Sequence, residues 1–380
     1  MLRQTRKVPL PAPAPGTQRH LLVHSYGPAD ARPKAYLQAA LHADEIPGML
    51  VQHHLLRRLD AAAAAGEIRG RIVLVPYANP IGLDQWVNSA HLGRYELAGG
   101  GNFNRGWPDL AGLVAERLEG ALGDDAAANV ATIRAAMIAA LDEQQAASAL
   151  AAWRLLLMRE AVDADFVLDL HCDDEALMHL FLIPAHWPEA ADLAAEVGCQ
   201  SVLLAADSGG GPFDESFSTA WTRLAERFPD KPIPPACLAG TIEYRGRAEV
   251  SDALAEADAE ALFRFLQRRG LIAGDPGPLP EPLCEATRLD ACDTLRTPSQ
   301  GVLSYRVPLG AQVRKGEVVA DLIDPAAEDP TTARREIRSE NDGLVISRRS
   351  HKFVTPGMVI AKIAGTEPLP HRRDGALVED

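Results

Sequence analysis

The alternation of short apolar runs with helical patterns constrains the fold of this chain more than any other feature of its sequence. It continues from about His20 to Gly270, and it is typical of α/β folds, in which helices cover the faces of a sheet. Helices are predicted at residues 47–65, within the alanine-rich stretch 110–160, and at 250–269. Strands are predicted at residues 20–25, 35–41, 71–77, 165–170, 179–183, 201–205 and 238–244.

A different pattern begins after a run dense in glycine and proline, GDPGPLPEP at residues 274–282. Because these two residue types stop regular structure, we expect a domain boundary there. Short β-type runs that end at glycines fill residues 301–363 and resemble the small β-sandwich of biotinyl and lipoyl carrier domains. A carrier needs a lysine at the tip of its central hairpin, and residues 324–338 contain none. An architectural or gating role is therefore the better interpretation.

Composition excludes several classes of partner. The 380 residues include 38 basic and 52 acidic side chains, and the net charge of -14 repels nucleic acid and anionic membrane surfaces. The five cysteines include no CxxC pair, so neither a disulfide framework nor a cysteine zinc site is expected. The sequence shows no signal-peptide pattern and no apolar stretch of about 20 residues. We therefore expect a cytoplasmic protein without nucleic-acid or membrane partners.

Two potential metal ligands follow the second predicted strand. In LHADEIPG, His42 and Glu45 fall in the turn between that strand and a helix that begins near Pro47. Ligands bind at strand ends in open α/β sheets, and a histidine with a carboxylate needs only a third protein ligand to complete a catalytic zinc site. The H-x-x-E pair alone is a weak signal, because most such pairs lie on the surface.

A third potential ligand lies at the end of another strand. The mainly apolar run DFVLDLHCDD ends its strand at His171. Taken alone, this histidine is equally consistent with a core or rim residue, but together the two strand ends give the His/Glu/His set of carboxypeptidase-type zinc enzymes. Asp169, two residues earlier, is either a hydrogen-bond partner of a ligand histidine or a solvated strand-end acid.

Five short stretches in this order resemble one family. They are LHADE, the NP of YANPIG, FNRGWPD, DLH and GTIEYRG, and they fall within residues 41–246. Together they resemble the succinylglutamate desuccinylase and aspartoacylase family, which is related to the zinc carboxypeptidases. The resemblance implies an α/β fold, with a zinc-carboxypeptidase-like mixed sheet flanked by helices, and a smaller C-terminal all-β domain of biotinyl/lipoyl type. We expect a flexible segment at 1–18, a catalytic domain at 19–273, a β-sandwich at 283–366 and a tail at 367–380.

The resemblance also implies a metal site and its chemistry. His42, Glu45 and His171 are implied as ligands of one Zn²⁺, and Glu243 as the general base and acid. Zinc lowers the pKa of bound water to about 7, and a nearby carboxylate can take its proton and return it to a leaving amine. The alternative interpretation of Glu243 is an unpaired acid at a strand end.

Substrate-binding residues are implied in the same way. Asn104 and Arg105 correspond to the residues that bind a substrate carboxylate, for which the planar guanidinium is suited. Arg94 is the candidate for an arginine that stabilises the oxyanion. The acidic run 173–175 after His171 is by default a solvated charge run, but if it faces the site it would favour substrates with a basic side chain.

We therefore expect a zinc-dependent hydrolase, an amidohydrolase or deacylase acting on linear amides, that removes the acyl group from a small-molecule N-acyl amino acid. A metallocarboxypeptidase or amidase acting on a peptide-like substrate is the alternative enzyme, since it passes through the same kind of tetrahedral intermediate. A catalytically degenerate binding module is the alternative from another class. The sequence leaves the acyl group, the amino acid and the formation of a homo-oligomer open.

Overall fold

The computed structural model describes residues 2–376 of the chain. Its largest element is a mixed sheet of nine strands, in which Lys34–Ala39, Phe166–Asp173 and Leu238–Gly246 are parallel neighbours. All seven predicted strands belong to this sheet. In spatial order the strands are Gln4–Pro9, His20–Tyr26, Arg71–Val75, Lys34–Ala39, Phe166–Asp173, Leu238–Gly246, His179–Leu182, Ser201–Leu204 and Ala286–Arg288.

Helices cover both faces of this sheet. Neighbouring residues of one strand enter opposite cores: Tyr36 and Val167 pack on one side, and Leu37 and Leu168 on the other. Strands covered on both faces read as continuous apolar runs, which explains why the sequence marks them clearly. The helices are Pro47–Ala64, Pro80–Leu83, Leu110–Leu118, Ala126–Glu143, Ala149–Ala161, Ala191–Glu196, Phe213–Arg227 and Asp252–Arg268, with 3₁₀ turns at Pro184–His186 and Leu289–Ala291.

The alanine-rich stretch 110–160 divides into three helices because it contains local capping residues. The side chain of Asp125 accepts a hydrogen bond from the backbone N–H of Ala128, and Ser148 accepts one from Ala151. Each contact satisfies one of the backbone donors left unpaired at a helix start. Two short hairpins lie ahead of these helices and pair Trp86–Val87 with Ala90–His91 and Tyr95–Glu96 with Gly101–Asn102.

The expectation of a flexible segment over residues 1–18 is wrong for part of that segment. Gln4–Pro9 is an antiparallel edge strand paired with His20–Tyr26. Its side chains are almost all exposed, so the strand is held by backbone hydrogen bonds and carries no apolar alternation. An edge strand of this kind leaves no hydrophobic pattern that sequence reasoning could read.

The C-terminal part forms two smaller sheets around its own core, which includes Leu322, Val345 and Ile363. The predicted fold class, a mixed α/β sheet with helices and a smaller C-terminal β region, is confirmed. The last four residues of the expected tail, 377–380, lie outside the described part of the chain. The C-terminal strands after Ala286–Arg288 are Cys292–Arg296, Gly301–Tyr305, Gln312–Val313, Val318–Ile323, Arg334–Arg338, Gly343–Arg348, Phe353–Val354 and Val359–Gly365.

The two parts exchange strands at their junction. Ala286–Arg288 extends the large sheet, while Glu175–Ala176 pairs with Gly343–Arg348 in a sheet of the C-terminal part. This second pairing begins four residues after His171, so the C-terminal β part is anchored directly beside a predicted metal ligand. Across residues 2–376, no helix has the length and apolarity needed to span a membrane.

Candidate metal centre and its cavity

The three predicted metal ligands meet at one edge of the large sheet. Lys34–Ala39 and Phe166–Asp173 are parallel neighbours, so their carboxyl ends carry His42, Glu45 and His171 to the same place. One nitrogen or oxygen atom of each side chain lies within 4.8 Å of the others, and all three side chains are buried. Nδ1 of His42 is 3.0 Å from Oε1 of Glu45, and Nδ1 of His171 is 2.7 Å from Oε2.

The outer contact of His42 determines which of its ring nitrogens carries hydrogen. Oδ1 of Asn102 accepts the backbone N–H of Asn104 at 2.8 Å and lies 2.8 Å from Nε2 of His42. An amide oxygen only accepts, so Nε2 carries the hydrogen and Nδ1 presents a lone pair. That lone pair faces a carboxylate oxygen of Glu45, and a cation between the two atoms satisfies both.

His171 has a buried carboxylate beside its outer ring nitrogen. Its Nε2 lies 3.0 Å from Oδ2 of Asp169, a fully buried carboxylate behind the site. Burial alone would lower the pKa of His171, but the carboxylates of Asp169 and Glu45 raise it well above its ordinary value. The two acids thus require a positive charge beside His171, which a proton or a metal ion supplies.

The donor set fits zinc. Two imidazoles and one carboxylate are the protein ligands of catalytic zinc sites that keep a position open. Burial and the nearby Arg94 lower the pKa of His42, which favours the neutral imidazole that a metal requires. Among residues 2–376, His42, Glu45 and His171 form the one cluster of three or more histidine, cysteine or acidic side chains with this geometry.

Glu243 lies next to this cluster. It is the register partner of His171 on the parallel strand Leu238–Gly246, and it lines the same cavity. Burial, with the negative charge of Glu45, raises the pKa of Glu243 to about 8. Within the described part of the chain, its Oε2 is buried and has no hydrogen-bond partner. A carboxylate in this environment is a stronger base than an ordinary glutamate.

A close backbone approach brings Arg94 to the metal ligands. The backbone N–H of Ala43 donates to the carbonyl of Gly93 at 2.9 Å, and a Cβ on Gly93 would lie 2.2 Å from the backbone nitrogen of Asp44. Only glycine allows this approach. As a result, Nη1 of Arg94 lies 3.1 Å from Oε1 of Glu45 and 3.3 Å from Nδ1 of His42.

Asn104 and Arg105 also line the cavity, and Asn104 has a structural contact as well. Its Oδ1 accepts the backbone N–H of Phe213 at 2.8 Å, at the first residue of the helix Phe213–Arg227. Nη1 of Arg105 donates to the carbonyl of Asn104 at 2.7 Å. The structure thus brings every predicted site residue to one cavity.

This cavity, with a volume of about 900 Å³, lies between the two parts of the chain. Its C-terminal wall includes Arg348, Met358 and Lys362, none of which the sequence analysis identified. These residues follow His171 by more than 170 positions and belong to ordinary β-type runs, so no local motif marks them.

The acidic run after His171 is neutralised rather than presented to the cavity as unpaired charge. Its partners come mainly from the C-terminal part, and the contacts offer no support for a preference for basic substrates. The polar contacts are Asp173 to Lys362 at 2.7 Å, Asp174 to Arg247 at 3.6 Å and to Ser350 at 3.1 Å, and Glu175 to Arg348 and Lys352, each at 2.9 Å.

The chain resembles known proteins in both sequence and fold. Residues 31–225, slightly more than half of the chain, match the succinylglutamate desuccinylase/aspartoacylase catalytic domain. No curated protein sequence matches the chain. Among solved structures, a succinylglutamate desuccinylase/aspartoacylase family protein from Shewanella amazonensis is 24% identical with a TM-score of 0.82, covering 95% of this chain and 98% of its own.

Two further structures share the fold over the same extent. A protein of that description from Shewanella frigidimarina is 22% identical, with a TM-score of 0.81 and coverage of 96% of this chain and 97% of its own. The product-bound ectoine utilization protein EutE (DoeB) from Ruegeria pomeroyi is 16% identical, with a TM-score of 0.67 and coverage of 96% and 95%. At these identities the structures demonstrate a shared fold, and the catalytic-domain match assigns the family. The chain belongs to the succinylglutamate desuccinylase/aspartoacylase family.

Proposed function

We propose that this chain is a zinc-dependent hydrolase that removes the acyl group from an N-acyl amino acid. Membership in a family of hydrolytic deacylases supports the reaction class. The observation that carries the proposal is the cluster of His42, Glu45 and His171 beside Glu243 in one cavity. These three ligands would hold Zn²⁺, which would lower the pKa of water and polarise the amide carbonyl.

Glu243 is the proposed proton carrier. Its strand position beside His171 and its raised pKa support this role, because a general base works best when its pKa is near the working pH. Its carboxylate takes one proton from the attacking water and delivers it to the amide nitrogen as the C–N bond breaks. Water is consumed, and the products are the carboxylate of the acyl group and the free amino acid.

Two arginines have separate proposed roles. Arg94, next to Glu45 and His42, donates hydrogen bonds to the carbonyl oxygen as negative charge develops there. Arg105 presents a planar guanidinium to the α-carboxylate of the leaving amino acid. Fixing this carboxylate orients the scissile amide toward Glu243. Part of the binding energy of the carboxylate thereby accelerates the reaction.

The size of the cavity is also compatible with the alternative substrate class, short peptides. Its volume of about 900 Å³ is near the upper end of ligand pockets, which span roughly 300–1,000 Å³. A short peptide with a free terminal carboxylate therefore belongs among the compounds to be tested. The same machinery would cleave it, since both substrates present an amide next to a carboxylate-bearing carbon.

The test is an activity screen on metal-analysed protein. N-acetyl and N-succinyl derivatives of acidic, neutral and basic amino acids are compared with dipeptides and with matched α-carboxamides, and the release of free amine is measured. We expect about one zinc per chain, turnover that chelation abolishes and zinc restores, and a requirement for the free carboxylate. Zinc-loaded protein that releases amine from none of these compounds would contradict the proposal.

A further inference from the structure

Three consecutive glycines face the segment that carries Arg105. They belong to the glycine loop, which we define as residues 207–212, DSGGGP. Gly209, Gly210 and Gly211 have φ values of +96°, +70° and +58°. The loop ends at Pro212, and residues from Phe213 onward form the helix Phe213–Arg227.

The glycine loop is joined to the Arg105 segment by backbone hydrogen bonds. The N–H of Gly106 donates to the carbonyl of Gly210 at 2.7 Å, and the N–H of Trp107 donates to that of Gly211 at 3.2 Å. Phe213, just after the loop, is bound to Asn104. Hydrogen bonds therefore hold the loop backbone in place. An atom added to the loop would displace the long side chain of Arg105 more easily than the backbone.

Gly210 is in direct contact with that side chain. A Cβ at Gly210 would lie 2.5 Å from Cδ and 3.0 Å from Nε of Arg105, closer than carbon atoms pack. Gly211 has the same kind of backbone, but a Cβ there would have no neighbour closer than 3.9 Å. Substitutions at the two glycines can therefore be compared to separate the effect of a left-handed backbone from the effect of the contact with Arg105.

We propose that Gly210 is a positioning residue for Arg105: the absence of a side chain at Gly210 leaves the volume in which the aliphatic part of Arg105 lies. The geometry of the guanidinium toward the cavity is thus set from the loop, 105 positions later in the chain. The inference rests on the proposed function, in which Arg105 binds the substrate α-carboxylate. The inference identifies Gly210 as a residue that determines specificity although it has no polar side chain.

Gly210→Ala and Gly211→Ala are the matched variants. Both add one methyl group at a left-handed residue, but only Gly210→Ala displaces Arg105. In zinc-loaded protein, Gly210→Ala should lower kcat/KM for the free carboxylate substrate by about 10- to 100-fold, since a misplacement of about 1 Å can cost up to about 100-fold in rate. Turnover of the α-carboxamide, and both activities of Gly211→Ala, should stay within about threefold. Equal losses on the acid and the carboxamide would overturn the inference.

A stability cycle separates this inference from the proposed function. The Tm of Gly210→Ala should be lower than that of Gly211→Ala, and the difference should disappear when both are combined with Arg105→Ala, because the clashing atoms are then absent. If the wild-type protein hydrolyses the acid and the carboxamide equally well, Arg105 does not bind the substrate carboxylate and that part of the proposed function is wrong. The Tm measurements would still test the contact between Gly210 and Arg105. A Tm difference that persists without the Arg105 side chain would overturn the inference, even where Gly210→Ala alone does not fold.

Discussion

Asn102 offers the sharpest test of how the metal ligands are held. Its Oδ1 accepts from Nε2 of His42 and from the backbone N–H of Asn104, each at 2.8 Å. Asn102→Ala removes this acceptor and leaves His42 free to rotate or to change tautomer. Loss of such an outer partner typically weakens metal binding by about 10- to 100-fold, which is about 1.4–2.8 kcal/mol.

The same substitution should also destabilise the metal-free fold. The backbone N–H of Asn104 would lose its acceptor in a buried environment, which costs about 1–3 kcal/mol. Zinc affinity should be measured by competition with a chelator of known affinity, and stability by denaturant unfolding of the metal-free protein. The two measurements separate a weakened site from a weakened fold.

Asn102→Asp is the matched control. It keeps an oxygen acceptor toward His42, but it replaces Nδ2, which has no hydrogen-bond partner in the described part of the chain, with a second oxygen and adds a negative charge. Zinc affinity should therefore be no weaker than about threefold below wild type, since carboxylates commonly hold ligand histidines and an added negative charge favours a cation. If Asn102→Ala binds zinc as tightly as wild type, or if the aspartate variant loses as much affinity as the alanine variant, the role given to Asn102 is wrong.

Three further predictions concern the site and its C-terminal wall. His171→Ala should lose both zinc and turnover in metal analysis and amine-release assays, and full zinc occupancy would refute its role as a ligand. Glu243→Gln should keep zinc while turnover falls about 100-fold or more, and near-normal turnover would exclude it as the proton carrier. Lys362→Met should lower the free energy of unfolding at pH 7 by roughly 2 kcal/mol, because it leaves the largely buried Asp173 without its partner. Burial would raise the pKa of Asp173, but Lys362 holds it well below its ordinary value. Without Lys362 this carboxylate takes up a proton above its ordinary pKa of 3.8, so the difference in unfolding free energy should begin to narrow above pH 3.8 and continue to narrow as the pH falls further. A pH-independent difference would contradict this explanation.

Elements buried on both faces were predictable from the sequence, and elements without local signals were not. The strand Phe166–Asp173 reads as a continuous apolar run because helices cover both of its faces. The helix Phe213–Arg227 begins after Pro212 without a capping side chain of its own, and its first N–H is bound by Asn104. A cap supplied 109 positions earlier in the chain leaves no start signal in the adjacent sequence.

The same distinction applies to the site. Residues that follow strand ends, such as His42 and His171, could be identified because parallel strands bring their carboxyl ends together. Asn102 could not, since its position depends on a two-residue strand and on a contact with His42 across 60 positions. Its only sequence signal is that it directly precedes the FNRGWPD stretch and lies two residues before Asn104.

The charge of the cavity shows why counting local acids is insufficient. Asp173 and Glu175 follow a metal ligand, which makes an acidic pocket and a basic substrate plausible from sequence alone. Their partners, Lys362 and Arg348, are supplied by the C-terminal part and line the same cavity. Pairing removes most of the field that either acid would exert on a substrate, because opposite charges at hydrogen-bond distance act as a dipole at longer range. The C-terminal part is therefore a wall of the cavity, and substrate charge preference depends on both parts of the chain together.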